Sequence, residues 1–155
     1  MTTISDLLVP EAVLSGTSVA SKKALFAALG AAAAEAYGLD ARAVAETLTA
    51  REKLGSTGFG AGIAIPHGKL DTIRRVCGVF VRLEKPVDFG AVDELPVDLV
   101  FMLLSPVGAG AEHLKALACV SRLLRDKSVA AKLRGAGSHD ALYALLAGVE
   151  ARDAA

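Results

Sequence analysis

Residues 97–104, Val97-Asp98-Leu99-Val100-Phe101-Met102-Leu103-Leu104, set the fold class. Apart from Asp98 the run is wholly apolar and of strand length, the pattern of a strand buried on both faces and therefore covered by helices above and below its sheet. Upstream, residues 76–83 (VCGVFVRL) form a second β-branched and aromatic run, read as another strand. The intervening EKPVDFGAVDELP at 84–96 is turn-rich. Downstream, Gly-Ala-Gly at 108–110 opens an amphipathic helix over 112–125, with Leu114, Leu117, Ala118, Ser121 and Leu124 expected to face inward. Two shorter helices, 129–134 and 141–149, flank Gly135-Ala136-Gly137-Ser138, where Ser138 is the expected cap, and the last few residues are expected to fray.

Toward the N-terminus, residues 10–19 hold a strand. Ser21 then caps an alanine-rich helix through about Tyr37, with Leu25, Phe26, Leu29, Ala32, Ala33 and Ala36 at helical spacing, and Gly38 ends it. Asp40 caps a second helix that carries Val44 and Leu48 on one face and runs to about Lys53, with Arg51 near its C-terminal end. This alternation predicts one layered α/β domain over 1–155, with an ordered core over about 5–150 and a central mixed sheet flanked by helices. No repeat, linker or low-complexity tract interrupts it.

The composition excludes several functions. The 155 residues carry 17 Lys+Arg against 17 Asp+Glu, so there is no basic excess for nucleic-acid binding. The 53% hydrophobic content owes much to 30 alanines, and no run reaches the roughly 18–20 apolar residues of a membrane span. The N-terminal MTTISDLLVPEAVLSG has no basic segment followed by an apolar one, so a cytoplasmic location is expected. Cys77 and Cys119 make no C-x-x-C pair and are expected to be buried thiols. The chain has no Asn, Gln or Trp, which leaves hydroxyls, carboxylates, Arg, Lys, His and backbone groups for recognition.

Residues 55–68, GSTGFGAGIAIPHG, place five of the 15 glycines in one segment. It is not a Walker A loop: Gly62 to Gly68-Lys69 has one intervening residue too many, and Leu70 stands where a hydroxyl is needed. Nor is it a dinucleotide fingerprint, because Ile63 and Ile65 occupy the positions of required glycines. What remains is a loop able to turn sharply and present backbone N–H groups. His67, between Pro66 and Gly68, stands at its end. Neutral imidazole is a competent phosphoryl acceptor near neutral pH. Read on its residues alone, His67 fits first a turn histidine placed for packing, the commoner use of an isolated histidine.

Arg51-Glu52-Lys53-Leu54-Gly55-Ser56-Thr57-Gly58, followed by Gly60, Gly62-Ile63-Ala64-Ile65-Pro66-His67-Gly68-Lys69-Leu70, resembles the signature of the IIA phosphocarrier proteins of the bacterial phosphotransferase system. The resemblance is to the fructose/mannitol-type group and, within it, to the nitrogen-regulatory proteins. It continues through Gly78-Val79-Phe80-Val81, Pro96-Val97-Asp98-Leu99 and His113-Leu114 and covers about residues 5–150. It implies the fold of that group and a phosphoryl group on Nε2 of His67, received from the phosphohistidine of an HPr-type carrier. Arg51 and His113 match the family's arginine and second histidine near the phosphoryl group. Ser56, Thr57, Gly58, Gly60 and Gly62 are the expected phosphate-binding loop. No cofactor or metal is expected, since the transition state of phosphoryl transfer needs mainly positioned charge and donors.

Each assignment has a plainer alternative. Arg51 suits a helix C-terminal cation satisfying carbonyls, and His113 a polar residue on a first turn. Lys53 and Lys69 read as rim charges for an acidic or phosphorylated partner. His139 is read as solvated. Ala61 departs from the pattern, standing where the nitrogen-regulatory proteins usually carry Asn. Two outputs follow from the resemblance: a regulatory switch acting on targets such as potassium transporters or sensor kinases, or a sugar-specific component passing phosphate to a IIB domain. Metal binding by His67 and His113 lacks a carboxylate or thiol at ligand spacing.

Overall fold

The computed structural model describes residues 2–154, with side chains through residue 148; the last helix runs on to Ala154, where the last few residues are expected to fray. In chain order the elements are α1 (Ile4–Leu7), a 3-10 turn (Pro10–Ala12), β1 (Val13–Thr17), α2 (Lys22–Tyr37) and α3 (Ala41–Glu52). They are followed by β2 (Gly58–Gly60), β3 (Ile63–Ala64), β4 (His67–Leu70), β5 (Cys77–Val87) and β6 (Val97–Pro106), then α4 (Gly110–Arg125), α5 (Lys127–Gly135) and α6 (His139–Ala154).

The sheet is mixed and ordered β1-β5-β6-β3-β2, with β4 also on β6. β1 runs parallel to β5, β5 antiparallel to β6, and β3 and β4 parallel to β6. β6 is buried along nearly its whole length, consecutive residues included, so both faces of the sheet are covered. Pairing of Ala64 with Val100 and of His67 with Leu103 keeps one register across β3 and β4. They are in effect a single strand interrupted at Ile65-Pro66, where proline has no N–H to give the ladder. His67 therefore opens β4.

Local chemistry accounts for the helix boundaries. The Ser21 hydroxyl accepts from Ala24 N, Asp40 Oδ1 from Arg42 N and Ala43 N, and Asp126 Oδ1 from Ser128 N and Val129 N. Ala141 N donates to the Ser138 hydroxyl, the cap expected there. Gly38 closes α2 in the left-handed conformation at φ 70°. α2 and α3 approach so closely that a Cβ on Gly30 would lie 2.3 Å from the Ala41 carbonyl oxygen.

α4 is the clearest correction. Its buried residues are His113, Ala116, Cys119, Val120, Leu123 and Leu124, whereas Leu114 is 66% exposed and Ala118 is exposed. Of the expected inward set, Leu124 is fully buried, and Leu117 and Ser121 are partly buried. The helix is turned so that its histidine, not the neighbouring leucine, meets the sheet. β5 and β6 also run further than expected, to Val87 and Pro106, and the last three helices begin two residues earlier, at Gly110, Lys127 and His139. His139 is not merely solvated, because its Nε2 donates to the Pro10 carbonyl at 2.7 Å and ties α6 to the N-terminal segment. Cys77 and Cys119 are both buried, and burial pushes the Cys77 thiol up to about 11.

The hairpin between β2 and β3 turns through Gly60, Ala61 and Gly62 at φ 112°, 57° and 80°. For alanine the left-handed region costs about 1–2 kcal/mol, and asparagine tolerates it better. Ala61 is exposed, so a larger side chain fits. Ala61→Asn is expected to raise the thermal midpoint by about 2–4 °C, read by calorimetry. An unchanged or lower midpoint would show that this turn stores no strain.

Candidate functional site

The end of β6, the start of β4 and the first turn of α4 bring two histidines together. The rings of His67 and His113 lie 5.4 Å apart, centroid to centroid, and are tilted by 55°. His67 is held by its own chain, with Nδ1 2.8 Å from the Ile65 carbonyl oxygen. A carbonyl only accepts, so Nδ1 carries the proton and the neutral ring keeps its lone pair on Nε2. His113 is 8% exposed, and its Nδ1 contacts the hydroxyl of Ser105, which is fully buried in β6.

Both imidazoles are held below the usual histidine range. For His67 burial is the main cause and the Arg51 cation adds to it, while the bond to Ile65 and the Glu52 carboxylate oppose. For His113 burial is again first, followed by the charges of His67 and Lys69. Both rings are therefore neutral at neutral pH. Among the described residues, no third His, Cys, Asp or Glu joins them in a group that could hold a metal ion.

Arg51, at the end of α3, donates from Nη1 to the Gly55 carbonyl at 2.9 Å, the helix-terminal contact expected of such a cation. Among the described residues no other acceptor is bonded to its side chain, which leaves N–H groups for a ligand. Nothing in the sequence marks the neighbouring Glu52, yet it organises this corner. Its side chain, 5% exposed, pairs with Lys22 Nζ at 2.7 Å. It also accepts Thr57 N at 3.1 Å and the Thr57 hydroxyl. Lys22 in turn sits 4.3 Å above the Phe89 ring. α3 is brought against β4 because Gly68 has no side chain: a Cβ there would lie 2.4 Å from Thr47 Cγ2.

The glycine segment does not form the open phosphate nest expected of it. Both donors of Thr57 go to Glu52, Gly58 N donates to the Ser56 hydroxyl, and Ala61 N donates to Asp93. Ile65 N bonds Thr57 O, whereas Leu99 N bonds Gly62 O and His67 pairs with Leu103. Gly62 thus lies four strand residues from His67, roughly 13 Å at the usual rise. The hairpin tip with Gly60 and Gly62 is braced instead by Asp93 and by Arg134, which donates to Ala61 O and holds Asp98. Ser56 lies at the near end and keeps a hydroxyl hydrogen to give. The glycines serve the tight turn, and spacing alone did not reveal which end of the hairpin faces the histidine.

Three exposed apolar side chains adjoin the site in the chain: Leu54 (85%) after Arg51, Leu114 (66%) after His113, and Val107 (64%), whose N–H bonds Leu70 O at the end of β4. Lys53 and Lys69 are exposed beside them.

A mixed sheet that offers a neutral histidine at a strand start, faced by a second histidine and flanked by an arginine, is a scaffold for handling an anionic group outside a closed pocket. The chain belongs to the family described as "Phosphoenolpyruvate-dependent sugar phosphotransferase system, EIIA 2", whose profile matches residues 6–149. Within that family it is similar to nitrogen regulatory proteins: it is 54% identical over 144 residues to the one from Bradyrhizobium diazoefficiens, covering 93% of this chain and 94% of that one. The crystal structure of the nitrogen regulatory protein IIA-Ntr from Neisseria meningitidis superposes with a TM-score of 0.86 at 38% identity, covering 92% of this chain and 98% of that chain. The mannitol IIA enzyme of Escherichia coli, solved as a complex with its phosphorylated IIB enzyme, gives a TM-score of 0.77 at 26% identity, over 91% and 97% of the two chains. These agree with the fold and family that the residues around His67 suggest.

Proposed function

We propose that the chain accepts a phosphoryl group on Nε2 of His67 from the phosphohistidine of an HPr-type carrier, and that the presence of this group decides which regulatory partners bind the surrounding face. The observation that carries the reading is the bond from His67 Nδ1 to Ile65 O, which leaves Nε2 as the nucleophilic nitrogen of a neutral ring. The Nε2 lone pair forms a P–N bond as the donor's P–N bond breaks, and that bonding pair returns to the donor imidazole. No proton has to move and no cofactor is required. Arg51 and His113 supply donors to the equatorial oxygens as charge spreads over them.

A protein donor suits the rim. Exposed Leu54, Val107 and Leu114 beside Lys53 and Lys69 make a surface for another protein carrying negative charge, where a small substrate would call for a closed cavity. The regulatory output follows from the likeness to nitrogen regulatory proteins. Phosphorylation adds about two negative charges to a chain with a formal net charge of zero, a large local change that targets such as potassium transporters or sensor kinases would sense without any change of fold. A second output, transfer to a IIB domain, is favoured by one observation: the relative from Escherichia coli was solved with a phosphorylated IIB enzyme. Among the described residues no helix is long and apolar enough to cross a membrane.

The test is to incubate the chain with phosphoenolpyruvate, enzyme I and an HPr-type protein. The expected product carries one acid-labile phosphoryl group on His67. An acid-stable label, or a label on another residue, would overturn the proposal. Chasing the labelled chain with IIB proteins separates the two outputs, because a regulator keeps its label when they are added and a sugar-specific component loses it within seconds.

A further inference from the structure

We infer that Ser105 is a positioning residue that locks His113 with its proton on Nε2, so that two facing histidines hold opposite tautomers and only His67 offers a lone pair to phosphorus. This rests on the phosphocarrier reading above and deepens it, since it addresses why one histidine of a close pair, and not the other, takes the group.

Ser105 lies in β6 opposite Lys69 of β4, with no exposed surface. Among the described residues, the hydrogen-bond partner of its hydroxyl is His113 Nδ1. A hydroxyl hydrogen buried away from water needs an acceptor. Were Nδ1 to carry the proton, the serine oxygen would be the acceptor and its own hydrogen would have none. The hydroxyl therefore donates, Nδ1 accepts, and the ring proton resides on Nε2. His67 has the opposite arrangement, because its Nδ1 faces a carbonyl that only accepts.

Two rings 5.4 Å apart then play different parts. Nε2 of His67 is a nucleophile, and Nε2 of His113 is a hydrogen-bond donor for a phosphoryl oxygen. The P–N bond forms at His67 while the donor's P–N bond breaks, and the His113 proton stays on its nitrogen throughout. Burial of His113 and the nearby charge of Lys69 disfavour a second proton on the ring. With Nδ1 occupied by Ser105 and Nε2 protonated, His113 has no lone pair to compete for phosphorus.

The test uses the unphosphorylated chain with nitrogen-15 in its histidines. Long-range proton–nitrogen correlation spectra at pH 7.5 (about one unit above the ordinary histidine value) are expected to show His113 protonated on Nε2 and His67 on Nδ1. His113 protonated on Nδ1 in the unmodified chain would overturn the inference without any variant. Ser105→Ala should turn His113 into a mixture of tautomers and slow phosphoryl acceptance about tenfold at an unchanged KM for the donor, while Ser105→Thr, which keeps the hydroxyl, retains both. Ser105→Ala in a His67→Ala background should permit slow labelling of His113, which His67→Ala alone does not. An unaltered His113 spectrum in Ser105→Ala would overturn the lock. If the unmodified chain shows the stated tautomers but takes no label at all, the phosphocarrier reading fails and the positioning role of Ser105 stands.

Discussion

His67→Ala is expected to lose acid-labile labelling altogether, a drop limited only by the assay background, while keeping a thermal midpoint close to that of the unmodified chain. The chemical part follows from geometry. Nε2 of His67 is the lone pair presented to an incoming donor, and His113, 5.4 Å away centroid to centroid, is the residue best placed to replace it but has its Nδ1 engaged by Ser105. The stability part follows from how little else the ring does. His67 is only partly buried, and among the described residues its ring bonds only Ile65 O, two residues away in its own chain. Losing such a bond costs about 1 kcal/mol. A folded, unlabelled variant locates the site; undiminished labelling would remove His67 from it.

The same histidines set the pH dependence. Both are held below the ordinary value by burial, so at a given pH near neutrality more of His67 offers its lone pair than an ordinary histidine would. The acid-side decline of transfer should therefore have its midpoint below about 6.5, the unperturbed value. Stability follows the same sign. A histidine depressed in the folded state binds fewer protons than in the unfolded chain below about 6.5, so folding loses support as pH falls through that window and gains nothing above it. His139 works in the opposite sense, raised chiefly by its bond to Pro10. Its contribution is present in acid and fades as pH rises through its folded value.

What could be read from the residues was periodic or local. The run at 97–104 announced a buried central strand because burial on both faces leaves no polar positions, and Ser21, Asp40 and Ser138 announced helix starts because a cap is a contact between near neighbours. The buried face of α4 is not legible in the same way, because its helical period admits two faces. Leu114 and Leu117 suggested one, but the sheet takes His113, Ala116 and Val120, a choice made by the partner surface and not by the helix. The same limit hid Ser105 and Glu52, since each acts on a residue that the chain alone does not place beside it, as Lys22 meets Glu52 30 positions away. The expectation of a phosphate loop at Gly60 and Gly62 rests on glycine content and on the resemblance, neither of which fixes strand direction, and the pairing with β6 carries these glycines away from His67.

Glu52→Ala should lower the unfolding free energy by about 2–3 kcal/mol, at or just below the cost of breaking a fully buried ion pair because Lys22 is partly exposed, and slow phosphoryl transfer as well. The carboxylate is 5% exposed and bonds Lys22 Nζ at 2.7 Å, so its removal leaves an ammonium that is 30% exposed and reaches water only in part. It also strips both donors of Thr57 of their acceptor, and Thr57 is itself only 8% exposed. At this chain length the loss corresponds to a midpoint lower by about 5–10 °C. Transfer suffers because Glu52 follows Arg51 at the end of α3 and ties it to Thr57, whose carbonyl is bonded by Ile65 N, and Ile65 O is the group that orients His67. Glu52→Gln keeps an acceptor for Thr57 but not the charge beside Lys22, so it should fall between the two. Lys22→Ala alone should cost less than Glu52→Ala, and the double variant less than the sum, because each single change strands the partner that the other removes. Stability losses that simply add would mean that the pair is not coupled. Slowed transfer in Glu52→Ala at full stability would place Glu52 in contact with the phosphoryl group instead of in the brace behind it.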